Sequence, residues 1–306
     1  MPTFPCCAIL SGVSPHHDCA GHPETESRIP VAVSGLPRGI ERLDGIHAPA
    51  DAIARVHSAD YIRMIAKQCE DCPPSQCRYI EHDTYITTHS FDAASHAAGA
   101  AMVAVRQAIC GRHAIALVRP PGHHAGRRSP MGFCIFNNAA VAAASGIAES
   151  GLERVAIVDW DVHHGNGTQE IFYDTGRVLY CSVHQAHHYP GSGWPEETGT
   201  GEGRGFTVNV PLPQGSGWPE YRSAFEETLL PALKTYEPEL VIVSAGQDCL
   251  YDDPLGNMEL YPWDFGNMTR MVLDTAKQPL AILLEGGYGP SHGKAIASIT
   301  HVLQTW

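Results

Sequence analysis

VAIVDWDVHHGNGTQ, residues 155–169, runs an apolar segment straight into two aspartates and two histidines. Three of the four residues from Val155 to Val158 are β-branched, and a short continuous apolar run of this kind reads as a strand buried on both faces, as in a parallel sheet. Side chains two apart on an extended segment share a side, so Asp159, Asp161 and His163 point one way. Val158, Trp160 and Val162 point the other way and can pack beneath a helix. Several carboxylates at one buried strand end are costly without a cation or a hydrogen-bond network. An Asp-x-His pair joined by a third carboxylate makes an O,N,O set that suits zinc with its fourth position open, and Asp248 supplies that third ligand.

Three other runs share this feature. AIALVRPPGHH (114–124), LVIVSAGQD (240–248) and LAILLEGGY (280–288) each pass at the carboxyl end into polar or glycine-rich sequence with reactive side chains. Between the runs lie longer helical patterns such as 91–110 and 223–236. The alternation predicts an α/β protein with a mainly parallel sheet covered by helices on both faces. Ligands bind outside the carboxyl ends of such strands, so the four ends are expected to converge on one pocket. The Pro/Gly-rich stretch 189–205 reads as a surface loop.

The chain has 306 residues, 43% hydrophobic and 17% charged, which suits one large domain over 1–306. No run of eighteen apolar residues appears and the opening lacks the features of a secretory signal, so a cytoplasmic protein without membrane partners is expected. The net charge of -13 disfavours direct nucleic-acid binding and modestly favours basic substrates. The ten cysteines are then expected as thiols. Cys69, Cys72 and Cys77 are spaced to hold a soft metal if a fourth ligand such as Cys6, Cys7 or His82 approaches.

Read together, RPPGHHA (119–125), GFCIFNNAAVAA (132–143), DWDVHHGNGTQ (159–169) and EGGYG (285–289) resemble the zinc-dependent histone deacetylase family. Asn166 stands where the class I pattern has aspartate, so the likeness is to the class II and bacterial amidohydrolase branch, related to the acetylpolyamine amidohydrolases. The resemblance implies an arginase/deacetylase-like three-layer α/β fold with one catalytic zinc at the foot of a narrow tunnel. It implies that Asp161, His163 and Asp248 hold the zinc, that His123 and His124 flank the attacking water, and that Tyr288 faces them across the scissile carbonyl. Asp159 would orient His123 and Asn166 would support His124. Gly132, Phe133 and Tyr189 would line the tunnel, with Asp83 and Leu255 at its rim. Leu255 occupies the place where polyamine-selective members carry a glutamate, which tilts the expected substrate toward acetyl-lysine, in a peptide or a small molecule. A monovalent cation, potassium or sodium, is implied at backbone carbonyls around Asp159, Asp161, His163 and Ser182, with a second site near Phe172, Thr175 and Val178.

The sequence departs from the family pattern at Gln247 and at Gly289, which leaves pocket shape open. His16-His17 and His187-His188 lack strand context and read as loop histidines. A two-manganese ureohydrolase on the same fold would need further carboxylates near the ligands, where Gly246 and His164-Gly165 stand instead. A catalytically silent acyl-lysine reader would have lost Tyr288 or a tandem histidine. Acetylpolyamine hydrolysis remains the alternative reaction, and the sequence leaves the oligomeric state open.

Overall fold

The computed structural model describes residues 5–12 and 16–306. Its strands are β1 (Cys6–Leu10), β2 (Glu41–Asp44), β3 (Arg78–Tyr79), β4 (Tyr85–Ile86), β5 (His113–Leu117), β6 (Val155–Asp159), β7 (Val178–Gln185), β8 (Thr207–Leu212), β9 (Leu240–Ala245) and β10 (Leu280–Leu284). Eight form one sheet in the order β2-β1-β5-β10-β9-β6-β7-β8, with every pair parallel, while β3 and β4 make a small antiparallel ladder. The four runs singled out in the sequence are β5, β10, β9 and β6, and they are consecutive neighbours at the centre of the sheet. Their registers align the ends: Asp159 lies opposite Ser244, and Leu284 opposite Ala245.

Both faces of these strands are buried, which is why the runs show no polar alternation. On one face Ile157, Ile242 and Leu283 pack with the helices Ser90–Ile109 and Asn138–Ser150. Both helices bury mainly alanines toward the sheet, and small side chains let a helix approach closely. On the other face Val158, Trp160 and Val162 join a core that includes Phe265 of helix Pro262–Ala276 and Ile299 of helix His292–Thr305. The two-sided reading of the 155–163 segment therefore holds.

The 223–236 pattern is helical with an irregularity. A helix Trp218–Ala224 widens into a π segment, Phe225–Leu229, before resuming as Leu230–Tyr236. Pro231 has no N–H and its ring would meet the carbonyl four residues back, so the turn before it opens.

Two expectations are corrected. Cys19 and Cys77 are joined by a disulfide across 58 residues of sequence, so not all cysteines are thiols and Cys77 is unavailable to a metal. Their Cα atoms lie 5.6 Å apart, within reach of a bridge. Cys72 points its thiol at the carbonyls of Gln76 and Ile86, and Cys69, Cys72 and Cys77 form no metal-capable group. His17 lies in a loop, as read from the sequence, but it is buried there, its Nδ1 2.6 Å from Ser90 Oγ and its ring stacked on Tyr85 at 4.6 Å.

Two buried histidines make stability acid-sensitive. His57 Nδ1–H donates to Gly126 O and its Nε2 accepts from Asn137 N, so the folded state uses the neutral ring as both donor and acceptor. Burial holds the pKa of His57 down at about 4, and that of His113, whose Nδ1 accepts from Leu280 N, also at about 4. Because the unfolded chain takes up these protons first, the stability of the neutral rings is complete above pH 6.5 and is lost as pH falls toward 4. For His57 alone the loss by pH 4 is roughly 3 kcal/mol. Urea unfolding between pH 7 and 4.5 should show this decline; a flat unfolding free energy across that range would contradict it.

Candidate active site

The carboxyl ends of β5, β10, β9 and β6 enclose a cavity of about 190 Å³. Its wall includes Asp161, His163 and Asp248 with His123, His124 and Tyr288, and the rim residues Asp83, Gly132, Phe133, Tyr189 and Leu255 also reach it. Strand ends separated by up to 165 residues, from His123 to Tyr288, are thus brought together because the parallel crossovers place them on the same edge.

Asp161, His163 and Asp248 each offer a ligand atom, all within 4.8 Å of one another. His163 Nδ1 is 3.1 Å from Asp161 Oδ1 and 3.2 Å from Asp248 Oδ2. The remaining carboxylate oxygens are held by the backbone: Gly286 N donates to Asp161 Oδ2, and Val162 N to Asp248 Oδ1. Asp248 Oδ2 is buried and accepts no well-aligned hydrogen bond. A Cβ built on Gly286 would lie 2.0 Å from Asp248 Oδ2 and 2.7 Å from Asp161 Oδ2, so only glycine leaves this space clear. Hard carboxylate oxygens and one imidazole nitrogen around a protected gap fit a divalent metal. Burial opposes charge on His163, but the hydrogen bonds and charges of Asp161 and Asp248 outweigh it and lift the ring to about 9. Burial, with the neighbouring Asp161 charge, pushes Asp248 up to about 7. The trio pulls positive charge into itself. Among the described residues it is the one group of three or more His, Cys, Asp or Glu side chains that can converge on an ion, and no second cluster adjoins it as a two-manganese site would require.

The tandem histidines have contrasting partners. His123 Nδ1–H donates to Asp159 Oδ2 at 3.0 Å, whereas His124 Nδ1–H donates to Asn166 Oδ1 at 2.7 Å. Burial disfavours charge on His123, but Asp161 and Asp159 outweigh it and raise the ring to about 10. Burial and then the His123 charge drive His124 well below its ordinary 6.5. One ring is held cationic and the other neutral, 4.0 Å apart between centroids. Gly132 sits at φ +54°, and a Cβ there would come within 2.2 Å of His124 Cδ2. Its N–H donates to Asp83 Oδ1, which ties the rim to the tunnel wall.

Several contributors were not assigned from the sequence. Glu285 accepts from Gly122 N, His123 N and Ser244 Oγ, fixing the turn that presents the histidines. Its carboxyl is raised by burial to about 7. Asp253 accepts from the backbone N of Tyr288 at 2.6 Å and of Leu255 at 2.9 Å. The Arg28 guanidinium lies 4.5 Å over the Tyr288 ring and donates to Gly287 O and Glu285 O. Glu24 ties Arg28 to Arg119; burial alone would raise its carboxyl, but Arg119 and then Arg28 hold it down at about 2. Arg28 and Glu24 both stand in GHPETESR (21–28), four residues apart. His188, a loop residue, stacks on His163 at 5.0 Å and donates to Leu255 O through Nε2, since the 186–190 turn folds back over the 161–163 segment.

The residues of the suggested cation sites are placed apart. Ser182 on β7 pairs with Asp159 of β6 beside the cavity, while Phe172, Thr175 and Val178 lie at the opposite, amino end of β7.

Residues 22–304 match the sequence model of the histone deacetylase domain. The chain is 39% identical over 285 residues to the histone deacetylase-like amidohydrolase of Pseudomonas aeruginosa, covering 89% of this chain and 74% of that protein. It is 40% identical over 300 residues to the polyamine deacetylase HDAC10 of Mus musculus, covering 92% of this chain and 44% of that protein. The crystal structure of the HDA15 HD domain superposes with a TM-score of 0.92 at 33% identity, over 99% of this chain and 90% of that one. The expected deacetylase-like α/β fold is therefore shared along the described chain. No helix among the described residues is long and apolar enough to cross a membrane.

Proposed function

The chain belongs to the histone deacetylase family, and from that membership we propose that it is a zinc-dependent amidohydrolase that deacetylates N-acetyl-lysine side chains. The observation that carries the reading is the meeting of Asp161, His163 and Asp248 with the tandem histidines His123 and His124 in one cavity. Zinc held by that trio would supply Lewis acidity, polarising an amide carbonyl and bringing the pKa of water to about 7.

The chain's own groups supply the rest. His124, whose Nδ1–H is committed to Asn166, keeps Nε2 as an acceptor that takes the proton of the attacking water and returns it to the leaving amine. His123, kept cationic against Asp159, stabilises the negative charge that develops between them. The Tyr288 hydroxyl donates to the oxyanion. Phe133 and Tyr189, both in the cavity wall, would flank an extended methylene chain. Asp83, whose Oδ1 accepts from Gly132 N, would accept from the backbone of a bound peptide. Potassium or sodium at the carbonyls around Ser182 would support the loop that carries the ligands.

A second reading, hydrolysis of acetylpolyamines, is favoured by the likeness to a protein named polyamine deacetylase. Against it, Leu255 brings no charge to the rim. Comparing kcat/KM on an acetyl-lysine peptide, acetylspermidine and acetylputrescine decides between them, with the peptide expected highest. Elemental analysis should find one zinc per chain. Preference for either polyamine would replace the acyl-lysine assignment, and binding without acetate release would reject hydrolysis altogether.

A further inference from the structure

Seven large hydrophobic side chains among the described residues stand well open to solvent, and three of them touch. Tyr251 stacks on Tyr261 at 4.8 Å, and Tyr261 on Trp263 at 4.8 Å with ring planes 4° apart. They are 50%, 44% and 61% exposed. Scattered exposed apolar residues need no explanation, but an ordered ladder of aromatics does.

The ladder stands on the same edge of the sheet as the cavity. Helix Pro262–Ala276 follows β9 and leads into the parallel strand β10, so its amino end, with Trp263, lies at the carboxyl edge. Tyr251 is four residues from Leu255 on the cavity rim, which puts their Cα atoms at most about 14 Å apart. That span corresponds to about four residues of an extended peptide.

Charge identifies the occupant. From Asp248 to Thr269 there is no lysine or arginine, while Asp252 adjoins Tyr251 and exposed Glu259 lies two residues before Tyr261. Asp252 Oδ1 is shielded and has no hydrogen-bond partner among the described residues. The helix packed alongside, His292–Thr305, contributes one basic residue, Lys294. A second copy of a chain with net charge -13 would be repelled here. Guanidinium and ammonium groups are drawn both to aromatic faces and to a shielded carboxylate.

We infer that the Tyr251–Tyr261–Trp263 ladder is a docking surface for a basic peptide segment about three to five residues from the acyl-lysine in the cavity. The inference rests on the deacetylation reading and narrows its substrate class to cationic polypeptides. The outer faces of Tyr251 and Trp263 take arginine or lysine side chains, and the carboxylates of the stretch, Asp252 and Glu259, add long-range attraction.

The test compares acetyl-lysine peptides with arginines or alanines at those positions, and N-acetyl-lysine without flanking residues, on the wild type and on Tyr251→Leu/Trp263→Leu. The arginine peptide should exceed the alanine peptide about tenfold in kcat/KM with the wild type, and that ratio should fall below about twofold in the variant. Turnover of the unflanked substrate should not change. Equal ratios in the two proteins would overturn the inference. So would a parallel loss on acetylspermidine, or a change from dimer to monomer in sedimentation of the variant. If no acetylated substrate is cleaved, the deacetylation reading fails separately. Calorimetric Kd values for the arginine peptide without its acyl group then decide the docking surface: weaker binding by the variant supports it, and equal binding overturns it.

Discussion

Tyr288→Phe is expected to lower kcat by a factor of about 10²–10³ while metal content and thermal stability stay near wild type. The ring is held by Arg28 at 4.5 Å and by Phe133 at 5.9 Å, and the backbone by Asp253, and none of these contacts uses the hydroxyl. Burial raises the phenol well above its ordinary 10, so it stays protonated and able to donate throughout the working pH range. A group that donates only once negative charge has developed on the substrate oxygen affects the transition state more than the bound substrate. The loss should therefore fall on kcat, with KM moving little. A variant that keeps full turnover would remove Tyr288 from the mechanism; one that loses its metal would show that the hydroxyl supports the site in some other way.

Asp161→Ala should abolish turnover together with metal retention. The carboxylate ties two segments together: it accepts from Gly286 N of the β10 turn and from His163 N of its own loop, and lies 3.1 Å from His163 Nδ1. His123 and His163 keep it ionised far below the ordinary carboxylate range although burial opposes this. Its removal leaves Asp248 and His163 as a two-residue site. Loss of groups that merely orient metal ligands costs 10–100-fold in affinity, so loss of a ligand is expected to weaken zinc binding by more than about 100-fold. Asp161→Asn keeps the shape and the acceptor for Gly286 N while removing the charge, and should weaken the metal without unfolding the chain. Elemental analysis with a melting curve reads both. Full zinc occupancy in Asp161→Asn, measured after dialysis against a chelator, would mean that the metal is held elsewhere.

Much of the site was legible because its chemistry lies close to strand ends. Asp159, Asp161, His163, His123, His124, Asp248 and Tyr288 each follow an apolar run by a few residues, and four such runs in a parallel sheet have one common edge to end on. The ligand trio and the tandem histidines needed only that topology to be brought together. Groups distant from any run were harder to see. His17 and His188 are loop histidines, as their lack of strand context implied, and only the folding of 16–24 against Tyr85 and of 186–190 against His163 buries or recruits them. The disulfide was missed for a related reason, since 58 residues separate Cys19 from Cys77 and thiol pairing depends on where loops lie.

Residue order alone determined the strand runs, their buried character on both faces, and the alternation that sends Asp159 and Asp161 one way and Trp160 the other. These follow from local periodicity, which needs no knowledge of distant segments. Only the tertiary structure set the 3.0 Å contact of His123 with Asp159 and the 2.7 Å contact of His124 with Asn166, and how fully each ring leaves water. It also decided that Arg28 covers Tyr288 and that three exposed aromatic rings stack on one another. Electrostatic and stacking interactions depend on distance in space rather than on position in the chain, and folding sets those distances.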